Sequence, residues 1–376
     1  MKKLGIIVLI IIVSIIFLSF KNTKNYYKYT DNSYFAVIVD GIESSSIPSK
    51  GNYSVKSICS EGKAKWDYDE WKLQITDLTS TVKCVLTFTT VIPVNLATHI
   101  MDLANDSGSG VYAEEMSGGV VDYRYEGDNP NNYIYFNNEL WRIIGVFSDN
   151  THGKTGQKLV KIIRNDSIGG IAWDKNNANN WPSSSLYTLL NTNYYNGEDE
   201  TTLTNCYQYS TTIAGNCNFK QTGITNTMYR NMIENVTWHL GGIASMTNAI
   251  DVYTAERGTT VYSGRPTETT GYIGLMYLSD YGYSVESSPC PRTTSLGSYN
   301  TANCSGQAWL RGNGYEWTIF PFSSHSGTVW SVNSSGNAPS SNARNGCATR
   351  PSLYLKSNVQ KLSGTGSVLD PYIIVD

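Results

Sequence analysis

The feature that most constrains this chain is a set of short runs in which apolar and polar residues alternate, separated by Gly-, Ser- and Asn-rich breaks. Alternation with period two places one face of a strand in a core, and runs this short must be joined by turns. Tyr34-Phe-Ala-Val-Ile-Val, Tyr53-Ser-Val-Lys-Ser-Ile-Cys, Trp71-Lys-Leu-Gln-Ile-Thr and Val82-Lys-Cys-Val-Leu-Thr-Phe-Thr fit this pattern in the first quarter. They predict a small all-β sandwich over residues 32–92. Pro93 ends it, and Leu96, Ile100 and Leu103 mark a short amphipathic helix in a segment, 93–121, that reads as a connector.

A larger unit follows over 122–376. Tyr133-Ile-Tyr-Phe, Leu140-Trp-Arg-Ile-Ile-Gly-Val-Phe and Lys158-Leu-Val-Lys-Ile-Ile-Arg predict an antiparallel meander, with a turn at Asn137-Asn138. Strand signals return at Trp317-Thr-Ile-Phe, Thr328-Val-Trp-Ser-Val, Ser352-Leu-Tyr-Leu and Tyr372-Ile-Ile-Val. Ser183 is placed to cap a helix carrying Leu186, Leu189 and Leu190, and a second helix carries Met228, Met232 and Ile233. Residues 241–314 read mostly as loop. The expected class is α+β. Trp141, Ile143, Ile144, Leu240, Leu275, Trp309, Leu353 and Leu355 are assigned to the large core.

Composition narrows the function. Of 376 residues, 28 are basic and 31 acidic, and only 16 % are charged. There is no Lys/Arg run, so the electrostatic footprint of a nucleic-acid binder is missing. Aromatic residues make up 12 %, with 27 Tyr beside 33 Gly, too many aromatics for extended disorder. Such a chain makes contacts by stacking and hydrogen bonding.

The N-terminus points to export. Met1-Lys2-Lys3 precedes an uncharged apolar run, Leu4 to Phe20. As a helix that run spans roughly 25 Å, enough for a thin bilayer core. No small-x-small cleavage site follows it, which favours a signal anchor over 1–20 against a cleaved signal. Residues 21–31 form a polar stalk. Lysines flank the run on both sides, so the positive-inside count is undecided; long domains translocate regardless. The expectation is a single-pass protein with its folded units outside the cell.

Seven cysteines support an oxidising compartment. None lies in Cys-x-x-Cys spacing, which speaks against zinc or thioredoxin-like chemistry. Three local pairs suggest themselves, Cys59 with Cys84, Cys206 with Cys217, and Cys290 with Cys304. Cys347 is left over, as a free buried thiol or as an alternative partner within the third pair.

The stretch from Arg124-Tyr-Glu-Gly-Asp-Asn-Pro through Leu140-Trp-Arg-Ile-Ile-Gly-Val-Phe resembles the opening of an uncharacterised family of exported proteins from low-GC bacteria. Trp238-His-Leu-Gly-Gly, Ile273-Gly-Leu-Met-Tyr-Leu-Ser-Asp-Tyr-Gly-Tyr, Trp309-Leu, Glu316-Trp-Thr and Arg350-Pro-Ser-Leu-Tyr-Leu follow in the matching order. This C-terminal unit also resembles the C-type-lectin-like fold of formylglycine-generating enzymes and of retroelement variable proteins. The resemblance implies paired terminal strands and long loops gathered on one ligand-facing side. It carries over no catalytic residue, and the calcium-dependent sugar motifs of animal lectins are absent.

Catalytic signatures are missing as well: no Gly-x-Ser-x-Gly, no His-Glu-x-x-His and no phosphate-binding loop. Asp174-Lys-Asn-Asn-Ala-Asn-Asn starts like a calcium loop but lacks the glycine and the terminal glutamate, and reads as a polar surface loop. Of the histidines, His99 lies in the connector, His152 in a Gly-rich turn and His239 in a structural corner. Asp280, Tyr281 and Arg350 are read as structural, with Ser279 or Asp280 capping a short helix. No cofactor, metal or catalytic residue is therefore assigned. The ligand surface is placed within 311–347, where aromatics interrupt Ser-, Gly- and Asn-rich loops as in antibody paratopes. Its contact residues are Tyr315, Phe322, His325, Asn333, Asn337, Asn342 and Arg344, with Trp317 and Trp330 read as core. The loops of 256–305 are the alternative location. The resulting function is binding of an extracellular glycan or protein, with a passive surface protein or a cell-wall-modifying enzyme as alternatives.

Overall fold

The computed structural model describes residues 27–28, 34–77, 81–199, 205–214 and 217–376. The expected membrane anchor and nearly all of the stalk lie outside these residues. Among the described residues no helix is long and apolar enough to cross a membrane. The fold is α+β, mostly sheet with few and short helices. It divides into two units, Met1–Pro93 and Val94–Asp376.

In the first unit, Tyr34–Val39 and Lys83–Thr90 run side by side in parallel, and Tyr53–Cys59 pairs with the latter in antiparallel fashion. The alternation in Lys83–Thr90 buries Cys84, Leu86 and Phe88. Over that face lies a hairpin, Lys63–Asp67 with Lys72–Thr76, whose Trp66 meets Phe88 edge-on at 5.0 Å. The unit thus has two layers, but the second is only this hairpin and the sheet is mixed. Trp71, expected to begin a strand, sits in the hairpin turn at φ 53°, with its indole N–H donated to the Pro48 carbonyl. Cys59 and Cys84 face each other across adjacent strands, 4.1 Å apart at Cα, and are disulfide-bonded.

The larger unit is built on a ten-stranded sheet. Its centre is the expected meander, Tyr133–Phe136, Glu139–Phe147 and Leu159–Arg164. Glu139–Phe147 changes partner along its length: its first half pairs with Tyr133–Phe136 and its second with Val120–Tyr125. The register shifts between Ile143 and Gly145, where the Tyr123 carbonyl leaves no space for a Cβ. The C-terminal strand Tyr372–Val375 lies parallel to Tyr133–Phe136, and Gln360–Ser363 joins it to Val94–Asn95, so the two ends of the unit meet in one sheet.

Residues 94–121 are therefore no connector. Leu96 and Ile100, on the helix Leu96–Leu103, are fully buried in the large core, and Val111–Met116 is a sheet strand. The isolated helix pattern was correct; its docking partner lies some 260 residues away in sequence, at Ser357, whose carbonyl accepts from the Asn95 side chain. The region 241–314 is also more ordered than expected. Ala249–Glu256 is a helix capped by Asn248, and Leu278–Gly282 is another. The first escaped notice because Glu256, a charged residue, occupies its buried face. Ser184, not Ser183, caps the helix Ser185–Leu189, its Oγ accepting from the Tyr187 N–H. All eight residues assigned to the large core are buried in a single cluster.

A second, five-stranded sheet orders Gly170–Ala172, Gly346–Ala348, Glu316–Pro321, Thr328–Val332 and Ser340–Asn342. Cys206 is bonded to Cys217 and Cys290 to Cys304, while Cys347 is a buried free thiol that desolvation pushes up to about 12.

Candidate functional site

The hairpin Glu316–Pro321/Thr328–Val332 decides where the expected contact residues go. Its strands join at residues 322–327, and Thr328–Val332 turns back at 333–339 to reach Ser340–Asn342. The rises of about 3.3 Å between the successive residues of this six-residue strand separate the two ends by roughly 17 Å. The seven contact residues are divided between them. Phe322, His325, Asn342 and Arg344 lie at the 322–327 end, where Asn342 pairs with Thr328. Tyr315, Asn333 and Asn337 lie at the other. Asn333 and Asn337 are occupied in turn structure: Asn333 Oδ1 accepts from the N–H groups of Ser335 and Asn337, and Asn337 Oδ1 accepts from Asn300 N–H. Tyr315 is 51 % exposed, on the edge of the hairpin.

The 322–327 end is held by a residue that sequence reasoning missed. The buried Asn179 amide donates to the carbonyls of Phe322, His325 and Thr328, at 2.9, 2.8 and 3.0 Å, and the Asn179 backbone N–H donates to Ser326. Its Oδ1 accepts from Arg265 Nε, and Arg265 Nη2 donates to the Ser326 carbonyl. A polar loop of Ser, His and Gly is thereby fixed without a buried side chain of its own. Phe322 stacks on Trp330 at 4.8 Å and 19°, and His325 meets the Phe322 ring at 5.0 Å. Trp317 and Trp330 are core, as their strand positions implied. Asn177 Oδ1 accepts from the Arg344 N–H and ties the neighbouring loop in.

Beside this platform opens a small cleft with space for about one water-sized centre, ≈ 10 Å³. Trp173, Trp181, Leu240, Ile319, Pro266 and Pro321 form its apolar walls, and Asn179, Tyr262 and Arg265 its polar part. Tyr262 and Arg265 belong to the 256–305 region, so part of the alternative location meets the 322–327 end of the first. The signals available were Gly264, which turns at φ 77° between them, and Trp181-Pro182 after a run of asparagines. Neither states which strands they would meet.

Asp174 is buried, against the expectation of a surface loop. Its carboxylate accepts from the N–H groups of Asn176, Ala178 and Ser185, which shapes the loop from within. The other charged residues of interest are structural. Asp280 receives Lys161 Nζ at 2.6 Å and Arg124 Nη1 at 3.3 Å, and caps its helix through the Tyr277 N–H. Burial brings Lys161 down to about 8; burial would raise Asp280, but the two cations override it and hold it below the usual range. Glu256 accepts from both the N–H and the hydroxyl of Ser279. Arg350 Nε donates to Glu316 and its Nη2 to the Leu310 carbonyl. His152 is wholly buried, its Nε2 bonded to the Phe147 carbonyl, and burial lowers its pKa. His99 packs on Tyr372.

Among the described residues no group of His, Cys, Asp and Glu side chains could hold a metal ion. No family model matches the chain, and no curated protein or solved structure matches it.

Proposed function

We propose that this chain is an exported surface protein, held in the membrane by residues 1–20, whose larger unit has a C-type-lectin-like fold and binds an extracellular glycan or protein ligand. The observation that carries the reading is the Asn179 clamp, which ties down an exposed loop bearing Phe322 and His325 beside a small cleft with aromatic walls. A binding surface gains from such preorganisation, because less conformational freedom is lost on binding. The paired chain ends of the larger unit support the lectin-like assignment, and three disulfides support the oxidising exterior. Neither nucleic acid nor a cofactor enters this reading.

The test is a glycan and peptide array probed with the full chain in detergent, beside a variant with Phe322, His325, Asn342 and Arg344 all replaced by Ala. Specific capture by the wild type and its loss in a variant of unchanged melting temperature is the expected result. Blank arrays, or full affinity in the variant, would remove the loop end as the binding surface.

A further inference from the structure

From the unpaired donors around the cleft we infer that its ligand is a saccharide bearing a carboxylate, such as a uronic acid unit. The inference rests on the binding function proposed above and names its ligand class.

Three observations meet here. Arg265 lines the cleft, and no carboxylate pairs with it among the described residues. Its Nε and Nη2 are spent on Asn179 and Ser326, which fixes the guanidinium plane and leaves Nη1 without an acceptor among the described residues. Second, Trp181 is 1 % exposed, lines the same cleft, and its indole N–H has no hydrogen-bond partner among the described residues. A buried donor left unmade costs free energy, so an acceptor arriving there regains it. Third, a second cation stands near the cleft. Arg344 lies at the same loop end; among the described residues no carboxylate pairs with it, and the Tyr209 ring lies 5.5 Å from its guanidinium.

A donor set without an acceptor calls for an acceptor-only group. Ionised carboxylates accept at both oxygens and pair well with a planar guanidinium. The rest of the cleft suits a sugar ring. Tyr262 is half-buried at its margin, with the Arg265 guanidinium 5.7 Å from its ring. Half-buried Pro266 and buried Pro321 add flat apolar surface for C–H faces. The space available, about one water-sized centre, takes one carboxylate oxygen and leaves the carboxyl carbon and the ring outside, against Tyr262 and Phe322.

The probe pair is an oligogalacturonate and its methyl ester, titrated by calorimetry into the full chain in detergent, with an Asp/Glu-rich peptide as a third arm. The free acid should bind, the ester about tenfold more weakly or worse, and rising salt should weaken only the former. Arg265→Met should erase the difference, and Arg265→Lys, which keeps the charge but not the planar fork, should restore part of it. Equal binding of acid and ester by the wild type overturns the inference while leaving glycan binding intact. Peptide binding with the same Arg265 dependence, and none of the saccharide, overturns the ligand class. Failure of all three probes against a positive neutral-glycan array also overturns it, whereas blank arrays defeat the proposed function itself.

Discussion

Lys161 donates to Asp280 across 2.6 Å at a point that solvent does not reach, joining the central strand Leu159–Arg164 to a helix 119 residues further along the chain. Arg124 shares the same carboxylate, and Asp122 balances Arg124 from 3.1 Å. Removing Asp280 leaves Lys161 buried without its anion and Arg124 with Asp122 alone. Asp280→Ala should therefore lower stability by about 3–5 kcal/mol, measured by urea unfolding. Combined with Lys161→Met, the loss should be smaller than the sum of the single losses. Additive losses would mean that the pair is not coupled.

The Asn179 clamp makes a more local prediction. Asn179→Ala leaves the carbonyls of Phe322, His325 and Thr328 without this donor. We expect about 1–3 kcal/mol of destabilisation, and faster amide exchange confined to residues 322–328. Unchanged exchange there would show that the loop holds its shape without Asn179.

Glu126 gives a pH dependence. Burial pushes its carboxyl from 4.5 up to about 9, although Arg292 Nη2 lies 2.5 Å from it. Burial is the largest influence on the neighbouring Glu114 and would raise it, but the hydrogen bond and charge of Arg292, with the Glu126 hydrogen bond and the Arg124 charge, together hold it below its ordinary value. Folded Glu126 therefore keeps a proton that the unfolded chain releases. Its contribution to stability is fully present below pH 4.5 and is lost as pH rises towards 9, by up to about 1.4 kcal/mol per pH unit. Glu126→Gln, which mimics the protonated group, should flatten the fall between pH 6 and 8. An equally steep fall in this variant would assign the dependence to other groups.

The core assignment is tested at Leu353, fully buried and paired with both Ile162 and Ile273. Leu353→Ala should cost about 2–5 kcal/mol. A melting temperature equal to that of the parent would contradict its place at the centre of the sheet.

Disulfide 59–84 ties neighbouring strands in the smaller unit, whose buried hydrophobic centre is Val37, Trp66, Leu86 and Phe88. Replacing both cysteines by Ser should destabilise that unit by about 2–4 kcal/mol. Non-reducing peptide mapping should recover the linked pair from the wild type, and two alkylatable thiols at these positions would refute the bond.

Strand patterns such as Lys83–Thr90 and Glu139–Phe147 were legible because alternation is a local consequence of the pleat. The capping role of Asp280 and the buried role of Arg350 were legible as well, since both follow from the residues next to them in the chain. The partner's identity was not legible: nothing near Asp280 in sequence names Lys161. Residues 94–121 were misjudged for a related reason. Leu96 and Ile100 show an apolar face, but a short helix looks the same whether it crosses a gap or closes a sheet.

The candidate site shows where local information ends. Sequence by itself determined the α+β character, the core strands and a polar, aromatic-studded segment near the C-terminus, and it suggested the local cysteine pairs while leaving the role of Cys347 open. These depend on residues close in the chain, through side-chain periodicity and turn chemistry. Only the tertiary structure decided that Tyr315, Asn333 and Asn337 stand at the opposite end of a hairpin from Phe322, His325, Asn342 and Arg344. It also decided that Asn179 and Arg265 complete the latter end from 143 and 61 residues away. The physical reason is that hydrogen bonds and cleft walls form between whatever backbone segments the sheets bring together, and strand order and register are set by the packing of the entire core.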